Sequence, residues 1–233
     1  MPFLAHLLFL CAVIWCLFWL YAATNRWFAL GAVVLSAVHW LAAVTGIYSD
    51  ATSVPPPQLA LLAPVVVLLV ALLLTHNGRA WMAGLPLFAL TAIHVLRVPV
   101  ELVLHDAYEA GLVPQDMTYS GHNFDILSGI SAVLLLVWMR RGSPGRGVLI
   151  AWNLCCLVLL AIIVITAVLS LPSGIQRMNF EQPNVLVTTT PWVLLPALLV
   201  PAVFFAHVAA LYQLVWSSSR IEHSLGAERP PMH

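Results

Sequence analysis

Apolar residues gather in seven long blocks separated by shorter polar breaks. The blocks are Phe3–Ala23, Trp27–Tyr48, Gln58–Thr75, Gly84–His105, Phe124–Arg140, Gly147–Ser170 and Pro191–Trp216. A helix needs about 20 apolar residues to cross the hydrocarbon core of a bilayer, and each block is close to that length. The pattern predicts an all-α, polytopic membrane protein: one transmembrane domain of about seven helices over residues 1–216 and a short polar cytoplasmic tail over residues 217–233. The first block lacks a basic leader and is too long for the apolar region of a signal peptide, so it reads as the first span. There is no long internal repeat and no interior low-complexity linker.

Composition makes the solvent explicit. Hydrophobic residues make up 62% of the 233, charged residues 8%, and the mean hydropathy is +0.98. A soluble domain carries about 25% charged residues, so a surface this apolar requires lipid around it. All of the nine basic residues are Arg, and the formal net charge is zero. No basic tract exists for nucleic acid. The absence of Lys excludes a retinal Schiff base, and neither a dinucleotide fingerprint, a P-loop nor a hydrolase motif occurs. The expected partners are membrane lipids and a lipid-like small molecule; no protein partner can be named. Cys11, Cys16, Cys155 and Cys156 all lie inside apolar blocks and read as small hydrophobic residues rather than disulfide partners.

The charges orient the bundle. Arg26, Arg79, the group Arg140, Arg141 and Arg146, and finally Arg220 and Arg229 follow alternate blocks and fall on one side. The positive-inside rule makes that side cytoplasmic, with the N-terminus out and the C-terminus in, in a cell membrane of the bacterial inner-membrane type. Trp27, Trp81, Trp138 and Trp216 fall near the same interface. The two longest connections, Asp106–Asn123 and Leu171–Thr190, lie outside and are rich in polar groups. They are expected to fold together over the outer mouth of the bundle.

The fourth block carries most of the candidate chemistry. His94, Arg97, Glu101 and His105 fall within an arc of about 80° on a helix and form a stripe about 16 Å long. An Arg in lipid costs at least about 2.5–3.5 kcal/mol, so the stripe must face the bundle interior or water. Arg97 and Glu101 can neutralise each other at i,i+4, but that leaves the two flanking His unexplained. Pro99 frees the carbonyl of Val95 and predicts a kink one turn away.

Two arrangements can bring in a cofactor. His122 and Asp125 open the fifth block, where they can meet Glu101 and His105. Two His and two carboxylates suit a divalent metal such as Zn²⁺; alternatively, Asn123 or Asp125 simply caps the helix. His39 and His94 sit at similar depth, within about 3 Å, and are candidate axial ligands of haem b. By the same count His207 lies about 7 Å nearer the cytoplasm. The small residues Ser128, Gly129, Ser131 and Ala132 predict close helix packing rather than chemistry.

The leading expectation is a membrane-embedded enzyme with an outward-opening site. Glu101, His105, His122 and Asp125 would hold a divalent metal or exchange protons. Arg97 would stabilise an anion, and His94 would orient it or relay a proton. The alternatives are a proton-coupled transporter, with the stripe as its ion path, and a haem-bearing redox or structural subunit of a membrane complex.

Overall fold

The computed structural model describes residues 1–53 and 55–227, with side chains through Trp216. These residues form helices and loops and no strand. The helices are α1 (Phe3–Ala23), α2 (Arg26–Val44), α3 (Ala63–Leu74), α4 (His76–Ala83), α5 (Leu87–Ile93), α6 (Arg97–Glu109), α7 (Asp125–Arg141), α8 (Arg146–Leu169) and α9 (Val200–Ala227). Among the described residues five segments are long and apolar enough to cross a membrane: α1, α2, Leu87–Glu109, α8 and Leu195–Trp216. The number rises to six if α3 and α4, bent by 97° at their junction, count as one. The described residues are therefore all-helical, with several helices of the length and apolarity of membrane spans. The α7 helix is shorter, at 17 residues, and carries Asp125, Arg140 and Arg141. Of the expected tail, α9 continues through Ala227, and residues 228–233 lie outside the described residues.

The third expected span departs most from a straight crossing. A 3-10 turn, Pro57–Leu61, leads into α3, which has only 12 residues and stops at Thr75. The backbone of Thr75 is extended, and its Oγ accepts from Gly78 N at 3.2 Å, capping the start of α4. Arg79 donates from Nη1 to the carbonyls of Leu73 and Leu74, the last of α3, at 2.9 and 3.2 Å. These orphan carbonyls need a partner once the helix ends. The turn is so tight that a Cβ on Gly78 would lie 2.5 Å from Leu72 O.

Two further helices deviate at proline. Between α5 and α6 the chain tightens into a 3-10 turn over His94–Leu96, just where Pro99 leaves the Val95 carbonyl without its helical donor. Before α9 it widens into a π turn over Leu195–Leu199, where Pro201 likewise leaves the carbonyl of Ala197 free.

The core lies between α1, the α5–α6 rod and α9, with α7 and α8 closing the other side. Close approach of α7 to α6 depends on Gly129, whose added Cβ would meet Val98 Cγ2 at 2.7 Å and Val98 N at 2.8 Å. At the end where α6 stops and α7 starts, the two long loops pair. Val185 N and Leu186 N donate to Leu112 O at 3.0 and 3.1 Å. Gln182 Nε2 donates to the carbonyls of Tyr108 and Val113 at 3.0 and 2.6 Å. The connection from α2 to α3 is tied within itself, Gln58 Nε2 donating to Tyr48 O at 2.5 Å. Asp50, at the rim, accepts from Thr52 and Ser53, which holds its carboxyl below the usual carboxylate range.

Candidate functional site

Three of the four residues of the expected polar stripe, His94, Arg97 and Glu101, face inward. Arg97 is 2% exposed, Glu101 1% and His94 1%. A buried Arg requires partners on neighbouring helices, and α7 and α8 supply them. Arg97 Nε stands 3.0 Å from Asp125 Oδ2, and an Nη donates to the carbonyl of Cys156 at 3.2 Å. Its ion-pair partner is therefore Asp125 on α7, and Glu101 is left to a different one. Glu101 Oε1 accepts from Asn123 Nδ2, which also donates to Met117 O at 3.1 Å. Asn123 Oδ1 accepts from Asp125 N at 3.1 Å. One side chain thus bonds the backbone at the start of α7 and ties that start to Glu101. Ser128 Oγ lies 3.4 Å from Asp125 Oδ1.

One turn from Arg97, His94 stacks on His207 with ring centroids 4.0 Å apart. Trp152 meets the His94 ring edge-on at 5.3 Å, and His207 Nδ1 lies 2.9 Å from Asn153 Oδ1. This places His207 at the depth of His94, correcting the sequence count. The count started the last helix at Pro191, whereas its regular turns begin near Leu195. Four residues at about 1.5 Å each remove about 6 Å of supposed depth.

The four residues expected to hold a metal do not come together. His122 is on the surface, its side chain 81% exposed, and pairs with Asp116 Oδ1 at 2.9 Å. His105 is half-buried against Tyr119, with centroids 4.6 Å apart. Glu101 and Asp125 remain, and Arg97 already occupies Asp125. Among the described residues no group of three or more His, Cys, Asp or Glu can hold a metal ion. The cause is the path into α7: Asn123 turns inward, and its neighbour His122 therefore turns out. The two His of the haem pair have other neighbours. His39 Nδ1 is engaged by Tyr48 Oη at 2.6 Å, while the ring of His94 is covered by His207 and Trp152. The residues present do not fit a haem held between His39 and His94.

Instead, the structure places beside Glu101 residues that the sequence did not single out. Gln58, Glu101, Asp125 and Asn184 are the polar lining of an otherwise apolar cavity of about 90 Å³. Gln58 comes from the turn before α3 and Asn184 from the loop after α8. Glu101 Oε2, Gln58 Oε1 and Asn184 Oδ1 are all buried and have no hydrogen-bond partner among the described residues. Gln58 carries no sequence signal, sitting after three prolines at the edge of a block. Asn153 does carry one, as the only Asn within the apolar run of α8. The free thiols follow the sequence reading: Cys16 and Cys156 are buried, and Cys11 and Cys155 exposed.

Comparison with known proteins gives one match. The family model described as Domain of unknown function (DUF8737) covers residues 54–215, which include Gln58, Arg97, Glu101, Asp125, Asn184 and His207. No curated protein and no solved structure matches the chain.

Proposed function

The chain belongs to the Domain of unknown function (DUF8737) family, and we propose that it is a proton-coupled carrier of a lipid-like small molecule. It crosses the cell membrane seven times, with α3 plus α4 as the third crossing and α7 as the fifth, N-terminus out and C-terminus in. The bacterial inner membrane is the setting that fits the Arg distribution. One observation carries the reading: there are two buried carboxylates near one buried guanidinium, and only one of them is paired with it. Arg97 is paired with Asp125, and Glu101 keeps an unpartnered oxygen beside the cavity. In a dry cavity the surplus negative charge must be neutralised by a proton or by a bound cation. A group that alternates between the two couples proton movement to ligand movement. The bend at Thr75 and the π turn before α9 are breaks of the kind about which carriers rock. The sequence reading of an enzyme on the same substrate needs no metal if Glu101 serves as general acid and base. It differs in one respect, that the ligand leaves chemically changed.

The test uses purified protein in liposomes loaded with a pH-sensitive dye. Fatty amines, fatty acids and lysophospholipids are offered one class at a time, with protein-free liposomes as the baseline. At least one class should drive proton flux above baseline, and Glu101→Gln should abolish it. Flux at baseline for every class sinks the carrier, and recovery of a modified ligand in its place identifies an enzyme. Topology is checked separately by cysteine labelling in a Cys-free background. A Cys at Ser143 should label from the cytoplasmic side and one at Gln115 from the outside. Labelling of both from the same side rules out seven crossings.

A further inference from the structure

We infer that the cavity beside Glu101 takes the protonated amine head of a single-chain amphiphile, with its hydrocarbon chain lying in the groove between α3 and α8. The inference rests on the cavity just described and deepens the carrier reading by naming the substrate class.

The head is defined by what the cavity lacks. Its polar lining consists of Gln58, Glu101, Asp125 and Asn184, and the amide donors of that lining are spent on backbone carbonyls. Gln58 Nε2 points at Tyr48 O, 2.5 Å, and Asp50 O, 3.4 Å. Asn184 Nδ2 points at Ala167 O, 3.2 Å. Flipping either amide would set oxygen against oxygen, so the orientation of both is fixed by the chain around them. What remains free is a set of acceptors: Glu101 Oε2, Gln58 Oε1 and Asn184 Oδ1. Glu101 is 1% exposed, Gln58 4% and Asn184 0%. Buried acceptors left unpaired are costly until a donor arrives.

An alkylammonium brings three N–H donors and one positive charge, matching three acceptors and the surplus carboxylate. A phosphate or carboxylate head brings only acceptors and negative charge, and meets the same in the wall. Arg97, which would otherwise welcome an anion, does not line the cavity and is turned to Asp125 and Cys156.

The chain is defined by the neighbouring groove. It has a volume of about 250 Å³ and is lined entirely by apolar side chains, among them Val66, Leu157, Ala161, Ile165 and Phe204. Leu62, Leu160, Val164 and Val200 line both the groove and the cavity, so the two spaces adjoin. A small cavity of about 90 Å³ with four polar side chains in an apolar wall, adjoining a hydrocarbon slot, suits one small head on one chain.

The experiment measures binding to the full-length protein in nanodiscs by thermal shift and native mass spectrometry. The ligands are dodecylamine, dodecyltrimethylammonium, dodecanoate and butylamine. Dodecylamine should bind saturably, with an affinity at least about tenfold above dodecyltrimethylammonium, which cannot donate, and above dodecanoate. Glu101→Gln should weaken dodecylamine by at least about tenfold. Gln58→Leu, in the turn before α3 and outside the ion pair, should weaken it by several-fold and keeps the test valid if Glu101→Gln fails to fold. Ala161→Phe should erase the advantage of dodecylamine over butylamine by filling the groove. Equal or better binding of dodecanoate or of the quaternary amine overturns the inference. So does dodecylamine binding that is indifferent to both polar variants. The two proposals fail separately. Proton flux driven by fatty acids alone keeps the carrier and removes the amine, whereas selective amine binding without flux keeps the site and removes the carrier.

Discussion

The α5–α6 rod and α2 have nearly the same hydropathy, 1.8 against 1.9, yet 67% of the first is buried inside the protein and only 17% of the second. In water such a difference would be read from apolar content, but lipid is as apolar as a leucine-rich interface and gives helices no hydrophobic reason to hide. What separates the two is polarity and size. The rod carries His94, Arg97 and Glu101, each matched by a group on α7, α9 or the loop before α7. The α2 helix buries Ser36, which bonds Ala32 O of its own helix, and His39, for which a partner from the loop just after it, Tyr48, is enough. Glycine tells the same story: Gly129 of α7 is pressed on the rod, whereas Gly31 of α2 has nothing within 4 Å of an added Cβ.

The comparison breaks most sharply at the ion pair. Arg97→Leu should cost about 3–5 kcal/mol, because it strands the buried Asp125 charge. The double change Arg97→Leu/Asp125→Leu should recover most of that loss. Val33→Ala on α2, half exposed, should stay within about 0.5 kcal/mol. Unfolding in detergent of the three variants measures the contrast, and equal midpoints for the single and double changes would mean that water reaches the pair.

A smaller effect is expected at the glycines. Gly129→Ala should destabilise by about 1–3 kcal/mol through overpacking against Val98. Gly31→Ala should be neutral or stabilising by up to about 1 kcal/mol, since it gains helix propensity and meets nothing. If the two variants melt alike, α6 and α7 are not in close contact.

The least effect is expected at the edge. Tyr48→Phe removes one buried hydrogen bond and should cost about 1 kcal/mol, leaving ligand binding intact. Burial raises the Tyr48 phenol above its usual range, so its ultraviolet ionisation band should appear at higher pH than that of free tyrosine. A titration indistinguishable from the free side chain would show that His39 and Tyr48 are wet.

The amino-acid sequence alone determined that the chain is helical, with several segments long and apolar enough to cross a membrane, because block length and charge scarcity are properties of the segments themselves. It also determined that His94, Arg97 and Glu101 share an inward face, since the helical period fixes angle and the cost of a charge in lipid fixes direction. The small residues at Ser128 to Ala132 announced close packing, and Gly129 supplies it. Partners were not legible. The helical period does not say which neighbour a side chain meets, so Asp125 rather than Glu101 pairs with Arg97, and His207 rather than His39 lies against His94. Only the tertiary structure decided that Asn123 turns in and His122 out, because a single residue of register at a helix start exchanges the two. Only it carried Gln58 and Asn184 from loops far apart in sequence to the side of Glu101. The backbone carbonyls that orient their amides, and so leave their oxygens free, are put in place by the folded chain and by nothing local.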